Sequence, residues 1–158
     1  MITQDSLRFY KNHGVYKRFG GVVLAEEEGL RIAKALGTTS FLPFPTAHVN
    51  YQGCMRIIVL TGQCIGNTKA VILQNHGILT VGQTVDEAAF WFLSLDKTCH
   101  AQLLVDAASA GSGHEKKIIP DKEAEESYTQ VGTPEKGWLA FQGYYDEILH
   151  KTNGDFLL

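Results

Sequence analysis

The sequence predicts an α/β domain, and two neighbouring stretches of the chain carry that prediction. Residues 69–82, KAVILQNHGILTVG, contain two short runs of apolar, branched side chains on either side of an Asn-His-Gly corner. Such runs are typical of short buried strands that meet at a turn, here 70–74 and 78–81. Residues 85–108 then place apolar side chains at helical spacing. We expect a partial sheet flanked by helices.

Length and composition fit a single domain. The chain has 158 residues, of which 44% are hydrophobic and 20% charged, so it can bury a core. A net charge of −3 without a long basic run argues against general nucleic-acid binding. We expect neither a signal peptide nor a membrane span. Cys54, Cys64 and Cys99 form no CxxC pair, which fits reduced thiols in a cytosolic protein.

The first part of the chain predicts two helices and a strand. A short helix should begin at residues 5–6 and break near 12–14. The apolar residues 20–24, GGVVL, predict a short strand. Residues 26–36 predict a helix, because three acids open it and a lysine lies in its last turn. Gly37 occupies the position where a helix-terminating glycine is expected.

Residues 38–66 lack a helical period and contain neither aspartate nor glutamate. Only residues 56–60 suggest a strand. Three interpretations stay open: a loosely packed surface loop inserted between helix and strand, a translated intron, and a new binding loop. The last would use His48, Cys54 and Cys64 as metal ligands, although their spacing matches no standard zinc pattern.

The Asn-His-Gly corner places His76 at a strand end, where a cofactor or substrate could reach the imidazole. Histidine is the commonest metal ligand, and the neighbouring Gly77 lets backbone and ligand approach closely. A lone histidine is more often a hydrogen-bonded structural residue, and a zinc site requires three or four ligands. Both interpretations stay open from the residues alone. His13 is a weaker ligand candidate, because it lies among polar residues that we expect to be exposed.

The helix over residues 85–108 has clear boundary signals. Thr84 is the predicted N-cap, and Glu87 follows it at the spacing of a capping box. The helix should stop before Gly111 and its glycine-rich neighbours.

Two further helices are predicted near the end of the chain. Residues 121–130 form a polar, acidic segment that should be mostly solvated. Thr133 and Pro134 are the cap and first residue of a last helix, which Asn153 and the following glycine end. The apolar stripe of this helix is formed by Trp138, Phe141, Tyr145, Ile148 and Leu149.

Three segments together resemble the class II aldolase/adducin family, mainly its fungal and adducin-like branch. The most specific is LQNHGILTVGQTVDEAAFWFLSLDKTCHAQLL at 73–104, and residues 1–37 and 132–158 add to it. The resemblance implies a class II aldolase-like three-layer α/β/α domain. Residues 1–158 would form a single truncated domain, an incomplete C-terminal portion with an atypical insertion at 38–66.

The resemblance also implies a metal site that this chain fills only in part. Family enzymes hold zinc with three histidines, and His76 matches the third of them by its place in the corner. The other two histidines and the catalytic glutamate lie upstream of the segment that Met1 opens. We therefore assign no catalytic residue, expect no tight zinc binding by this chain, and leave open whether it is an enzyme.

The partners implied by the resemblance are of two kinds. Family enzymes, which are aldolases and 4-epimerases, act on small sugar-phosphate-like substrates and assemble as homo-oligomers. Adducin-like members use the same fold as a noncatalytic module that oligomerises and joins cytoskeletal assemblies. The aromatic side chains of the last helix would lie in a core or a subunit interface. A cytoplasmic location fits either class.

Overall fold

The structure, a computed structural model, describes residues 1–19, 26–37 and 68–157, together with the backbone of two short strands between them. The elements are a 3-10 helix (Asp5–Phe9), β1 (His13–Tyr16), α1 (Glu26–Ala35), β2 (Ala47–His48), β3 (Ile58–Val59), β4 (Ala70–Leu73), β5 (Gly77–Thr80), α2 (Val85–Ser112), α3 (Asp121–Val131) and α4 (Pro134–Thr152).

A three-stranded sheet in the order β1–β4–β5 forms the centre of the described part. Strand β4 runs parallel to β1, with Ala70 opposite His13, and antiparallel to β5, with Leu73 opposite Gly77. The two predicted strands are confirmed, each within one residue at its ends. Strand β1 was not expected, because HGVY offers no apolar alternation and gains its extended form by pairing with β4.

Side chains of β4 alternate between the two faces of the sheet. Val71 and Leu73 pack with Ile32 of α1, whereas Ala70 packs on the other face with Trp91 of α2. Helices thus cover both faces, and the predicted three-layer α/β arrangement is confirmed.

Helix α1 lies close against β1. The Cβ of an alanine in place of Gly14 would overlap the carbonyl oxygen of Ala35, so a side chain here would separate strand from helix. Gly37 follows α1 with a φ of 77°, a left-handed conformation that glycine adopts without strain. The predicted helix over 26–36 and its terminating glycine are confirmed.

Helix α2 begins as the sequence indicates and extends further. The Thr84 side chain accepts a 3.1 Å hydrogen bond from the Glu87 backbone N–H. The Glu87 carboxylate accepts instead from the N–H of Gln83, one residue before the cap. The helix ends at Ser112, four residues beyond the predicted 108, and left-handed Gly113 follows it. Its fully buried residues lie between Glu87 and Leu95.

Helix α4 packs against α2, and the predicted boundaries of α4 are confirmed. Thr133 caps it, Pro134 opens it, and Asn153 ends it in a left-handed conformation. Gly137 allows the close approach, because a Cβ at this position would come within 2.6 Å of the Trp91 ring. The predicted apolar stripe is only partly covered, since Trp138 remains 47% exposed.

Two sequence predictions fall on residues outside the described part of the chain. The first is the strand at 20–24. The second concerns most of the segment 38–66, including its candidate metal ligands His48, Cys54 and Cys64. Within that segment only the backbone of β2 and β3 is described, and the two pair antiparallel. In the described part of the chain, no helix combines the length and the apolar character needed to cross a bilayer.

Candidate functional site

The corner between β4 and β5 depends on two residues with positive φ. Asn75 has a φ of 57° and Gly77 a φ of 142°, which asparagine and glycine tolerate better than other residues. The His76 backbone N–H donates a 3.0 Å hydrogen bond to the Leu73 carbonyl, which closes the turn. The His76 side chain is exposed. The turn therefore presents the His76 imidazole at the end of β4, the central strand of the sheet.

The end of β1 approaches the same corner. The Gln74 backbone N–H donates a 3.0 Å hydrogen bond to the Tyr16 carbonyl. Phe19 follows Tyr16 by three residues. The centroid of its ring lies 6.3 Å from that of the His76 imidazole, and the planes of the two rings are tilted by 56°. The aromatic ring therefore covers one side of the imidazole.

Phe19 also lines a cavity of about 320 Å³, together with Tyr16, Arg18, Glu28 and Arg31. We call this cavity the corner cleft. The Tyr16 hydroxyl donates a 2.6 Å hydrogen bond to Oε1 of Glu28, and Nη2 of Arg31 donates at 2.8 Å to Oε2. The Glu28 carboxylate therefore accepts hydrogen bonds from a tyrosine of β1 and an arginine of α1.

These contacts fix the charge states in the corner cleft. The hydrogen bond from Tyr16, followed by that from Arg31, lowers the pKa of the Glu28 carboxyl. The same pairing with Glu28 raises the pKa of the Arg31 guanidinium. The Nε of Arg31 is buried and has no hydrogen-bond partner among the residues that the structure describes. The cleft thus combines an ionised carboxylate with a guanidinium group.

Of the candidate metal ligands, only His13 and His76 have side chains in the described residues. In the ranges 1–19, 26–37 and 68–157, no three His, Cys, Asp or Glu side chains are close enough to hold a metal ion. His13 lies at the start of β1, and its Nδ1 is 2.8 Å from the Phe9 carbonyl oxygen. The donor set around His76 in the described part does not fit a tetrahedral zinc site. The ligand role of His76 stays a prediction.

Sequence reasoning missed the residues that build the corner cleft. Glu28 and Arg31 have the i,i+3 spacing of a helical ion pair, which was a usable signal. The acids at the start of α1 were interpreted only as partners of the helix dipole. Tyr16 gave no signal of its own, because its role depends on how β1 and α1 pack.

A mixed sheet between helices, with a histidine corner at the end of its central strand, defines a domain of the class II aldolase type. The family model for the Class II Aldolase and Adducin N-terminal domain matches residues 1–103, and the chain belongs to this family. A solved structure, L-fuculose 1-phosphate aldolase from Glaciozyma antarctica PI12, superposes with a TM-score of 0.65 and 28% identity. The match covers 96% of this chain and 44% of that enzyme.

Curated relatives include proteins with different names. Decarboxylase NovR from Streptomyces niveus is 36% identical over 148 residues, which cover 94% of this chain and 42% of NovR. Beta-adducin from Homo sapiens is 37% identical over 62 residues, or 39% of this chain and 8% of beta-adducin. The chain therefore spans about two fifths of the length of NovR and much less of adducin.

Proposed function

We propose that this chain contributes the corner cleft and one metal-ligand position, His76, to a domain that acts on small anionic hydroxy-carbonyl compounds such as sugar phosphates. The reaction would be an aldol cleavage or a 4-epimerisation. The complete family domain would use zinc as its metal and assemble as a homo-oligomer. The name of the Glaciozyma antarctica relative, a sugar-phosphate aldolase, supports this substrate class. The observation that carries the proposal is the Tyr16–Glu28–Arg31 network beside His76.

The charges of the corner cleft support an anionic substrate. Arg18 and Arg31 both line it, and guanidinium groups are suited to carboxylate or phosphate oxygens. Glu28 neutralises part of this charge and orients Arg31. The centroid of the exposed His76 imidazole lies 6.3 Å from that of the Phe19 ring, which lines the cleft. A substrate in the cleft could therefore place its polar groups near the corner.

We further propose that this chain by itself is inactive. One exposed imidazole binds zinc weakly, because each additional ligand contributes to a site that is already organised. Among the described residues, His76 belongs to no group of three or more potential metal ligands. The zinc site would then require ligands from outside the described residues, for example from a neighbouring subunit. A cytoplasmic location fits this chemistry.

Calorimetric zinc titration of the purified chain tests this proposal. The expected result is weak binding that changes equally little in His76→Ala and in the control His150→Ala, which removes another exposed histidine. An assay for L-fuculose 1-phosphate cleavage should show no turnover. Submicromolar zinc binding that is lost only in His76→Ala would refute the proposal and show that other residues complete the site.

A noncatalytic, adducin-like oligomerisation module with a cytoskeletal partner is the second candidate. The match to beta-adducin supports it, as do large apolar side chains exposed on the two packed helices. Leu103 and Leu104 of α2 are 68% and 58% exposed, and Leu139 of α4 is 58% exposed. Such surfaces are typical of protein contacts. Sedimentation analysis tests whether this apolar surface mediates self-association, which Leu104→Glu should abolish and His76→Ala should not. Because both candidates are homo-oligomers, co-sedimentation with cytoskeletal filaments is the measurement that distinguishes them, and only the module should bind.

A further inference from the structure

A second cavity lies at the opposite end of β4 from the histidine corner. It has a volume of about 160 Å³, and its lining includes Thr68, Lys69, Gln83, Glu87, Tyr128 and Gly132. The four residues of β4 separate Lys69 from the corner, and at about 3.3 Å per residue this is a distance of roughly 13 Å or more. The cavity is therefore distinct from the corner cleft.

Lys69 is the unusual member of this lining, because it is a lysine with only 7% of its surface exposed. Its Nζ donates a hydrogen bond to the Gly132 carbonyl at the junction of α3 and α4. The same atom lies 3.8 Å from the centroid of the Trp91 ring and 5.2 Å from that of Tyr128. Aromatic faces stabilise a cation at these distances. The amino group is thus held in one place at the edge of the cavity.

The buried environment of Lys69 favours partial loss of its proton. Burial lowers the pKa of Lys69 to about 8, although the attraction of Glu87 opposes this change. Glu87 is itself occupied, since its carboxylate accepts from Nε1 of Trp91 at 2.8 Å and from the N–H of Gln83 at 2.6 Å. A substantial share of Lys69 is therefore neutral amine in mildly alkaline solution, and neutral amine is the nucleophilic form.

We propose that Lys69 forms an imine with small aldehydes that enter this cavity. The lysine nitrogen, after losing a proton to water, attacks the carbonyl carbon and forms a new C–N bond. The carbonyl oxygen takes up one proton from the nitrogen and one from solvent, the C–O bond breaks and water leaves, and a protonated C=N bond forms. In its protonated state the imine carries one positive charge at nearly the same place as the former ammonium. The Trp91 and Tyr128 rings that stabilise the ammonium can therefore stabilise the product.

Lys97 provides a matched comparison within the same protein. Its Nζ donates a 2.9 Å hydrogen bond to the Tyr144 hydroxyl on the surface, and this contact raises its pKa. Lys97 thus stays protonated at the pH where Lys69 is partly neutral. Imine formation requires the neutral amine, which the lowered pKa of Lys69 favours and the raised pKa of Lys97 disfavours. Both lysines lie beside a tyrosine.

The test uses the full chain, glycolaldehyde at pH 8 and trapping of the imine by sodium borohydride, with adducts located by peptide mass spectrometry. We expect adducts at Lys69 to form about tenfold faster than at Lys97, because more of the Lys69 amine is neutral. Equal or slower labelling of Lys69 would overturn the proposal, and this comparison needs no variant. In a folded Lys69→Arg protein, only the Lys69 adduct should disappear.

A bulkier aldehyde tests the role of the cavity. Pyridoxal phosphate should label exposed lysines such as Lys117 but leave Lys69 unmodified, because the cavity of about 160 Å³ is too small for it. Labelling of Lys69 by pyridoxal phosphate as fast as by glycolaldehyde would show that the cavity does not select the aldehyde, and would contradict the proposal.

Discussion

The Tyr16 hydroxyl and the Glu28 carboxylate join β1 to α1 through a 2.6 Å hydrogen bond beside the histidine corner. The two residues are twelve positions apart in the sequence, and neither belongs to a recognisable motif. Their contact orients Arg31, which donates to the second oxygen of the same carboxylate. The corner cleft therefore depends on a pair formed by tertiary packing.

The first prediction is that Tyr16→Phe raises the pKa of Glu28. The Tyr16 hydroxyl is the largest of the causes that lower this pKa, so its removal leaves Arg31 and the more weakly acting Arg18 to stabilise the ionised form. Carbon-13 NMR titration of the glutamate carboxyl groups measures the change. Tyr145→Phe is the control, since Tyr145 contacts the Phe156 ring instead. An unchanged Glu28 titration in Tyr16→Phe would show that the hydrogen bond does not form in solution.

The second prediction concerns the packing of α4 on α2. Gly137→Ala should lower the free energy of unfolding by roughly 1–3 kcal/mol, because the new methyl group would overlap the Trp91 ring. Gly143→Ala on the same helix, whose Cβ would meet no described atom within 4 Å, should raise it by up to about 1 kcal/mol. Urea unfolding measures both values. Equal effects of the two substitutions would contradict the close contact at Gly137.

The third prediction concerns the N-terminus of α2. Thr84→Ala should destabilise the protein by about 1 kcal/mol, because the Glu87 N–H loses its side-chain acceptor. Thr133→Ala, at the start of α4, is the matched comparison. Thr133→Ala should reduce stability less, because the hydrogen bond that the Thr133 side chain accepts from the Lys136 N–H is longer, at 3.4 Å. A larger loss in Thr133→Ala would reverse the order that these distances predict.

The fourth prediction is a pH dependence of stability that Lys69 causes. Burial lowers its pKa from 10.5 to about 8. Between these values the unfolded chain keeps the proton that the folded protein has released. Stability therefore rises with pH across this window, by roughly 1–3 kcal/mol, and this gain is lost as the pH falls from 10.5 to about 8.

Urea unfolding of the wild type and of Lys69→Met between pH 7 and pH 11 measures this effect. Other titrating groups contribute equally to both proteins, so the difference between the two unfolding free energies isolates Lys69. We expect the difference to shift in favour of the wild type as the pH rises. A difference that stays constant would indicate that the folded Lys69 titrates at its ordinary pKa.

Local signals in the sequence were sufficient for the helices and for two strands. Thr84, Thr133 and Gly37 each perform at a helix end the role that their chemistry predicts. Strand β1 could not be predicted, because its extended form depends on hydrogen bonds to β4, more than fifty residues later in the chain.

The same reasoning explains why the candidate site was only partly predicted. The position of His76 follows from the Asn-His-Gly turn, which is encoded locally. The corner cleft, by contrast, requires β1, α1 and the corner to meet, and the spacing of its residues in the sequence does not show that they do. Lys69 gave no signal either, because its burial depends on Trp91 and Tyr128 from two later helices.

Helix α2 has 28 residues and is about 42 Å long, yet its fully buried residues end at Leu95. Exchange of a backbone amide proton with solvent requires local opening, and the free energy of opening depends on the contacts that must be broken. The first third of α2 can therefore open only when the sheet core opens, whereas the turns around Leu103 can open alone. One continuous helix would thus contain both slowly exchanging and rapidly exchanging amides, with the transition shortly after Leu95.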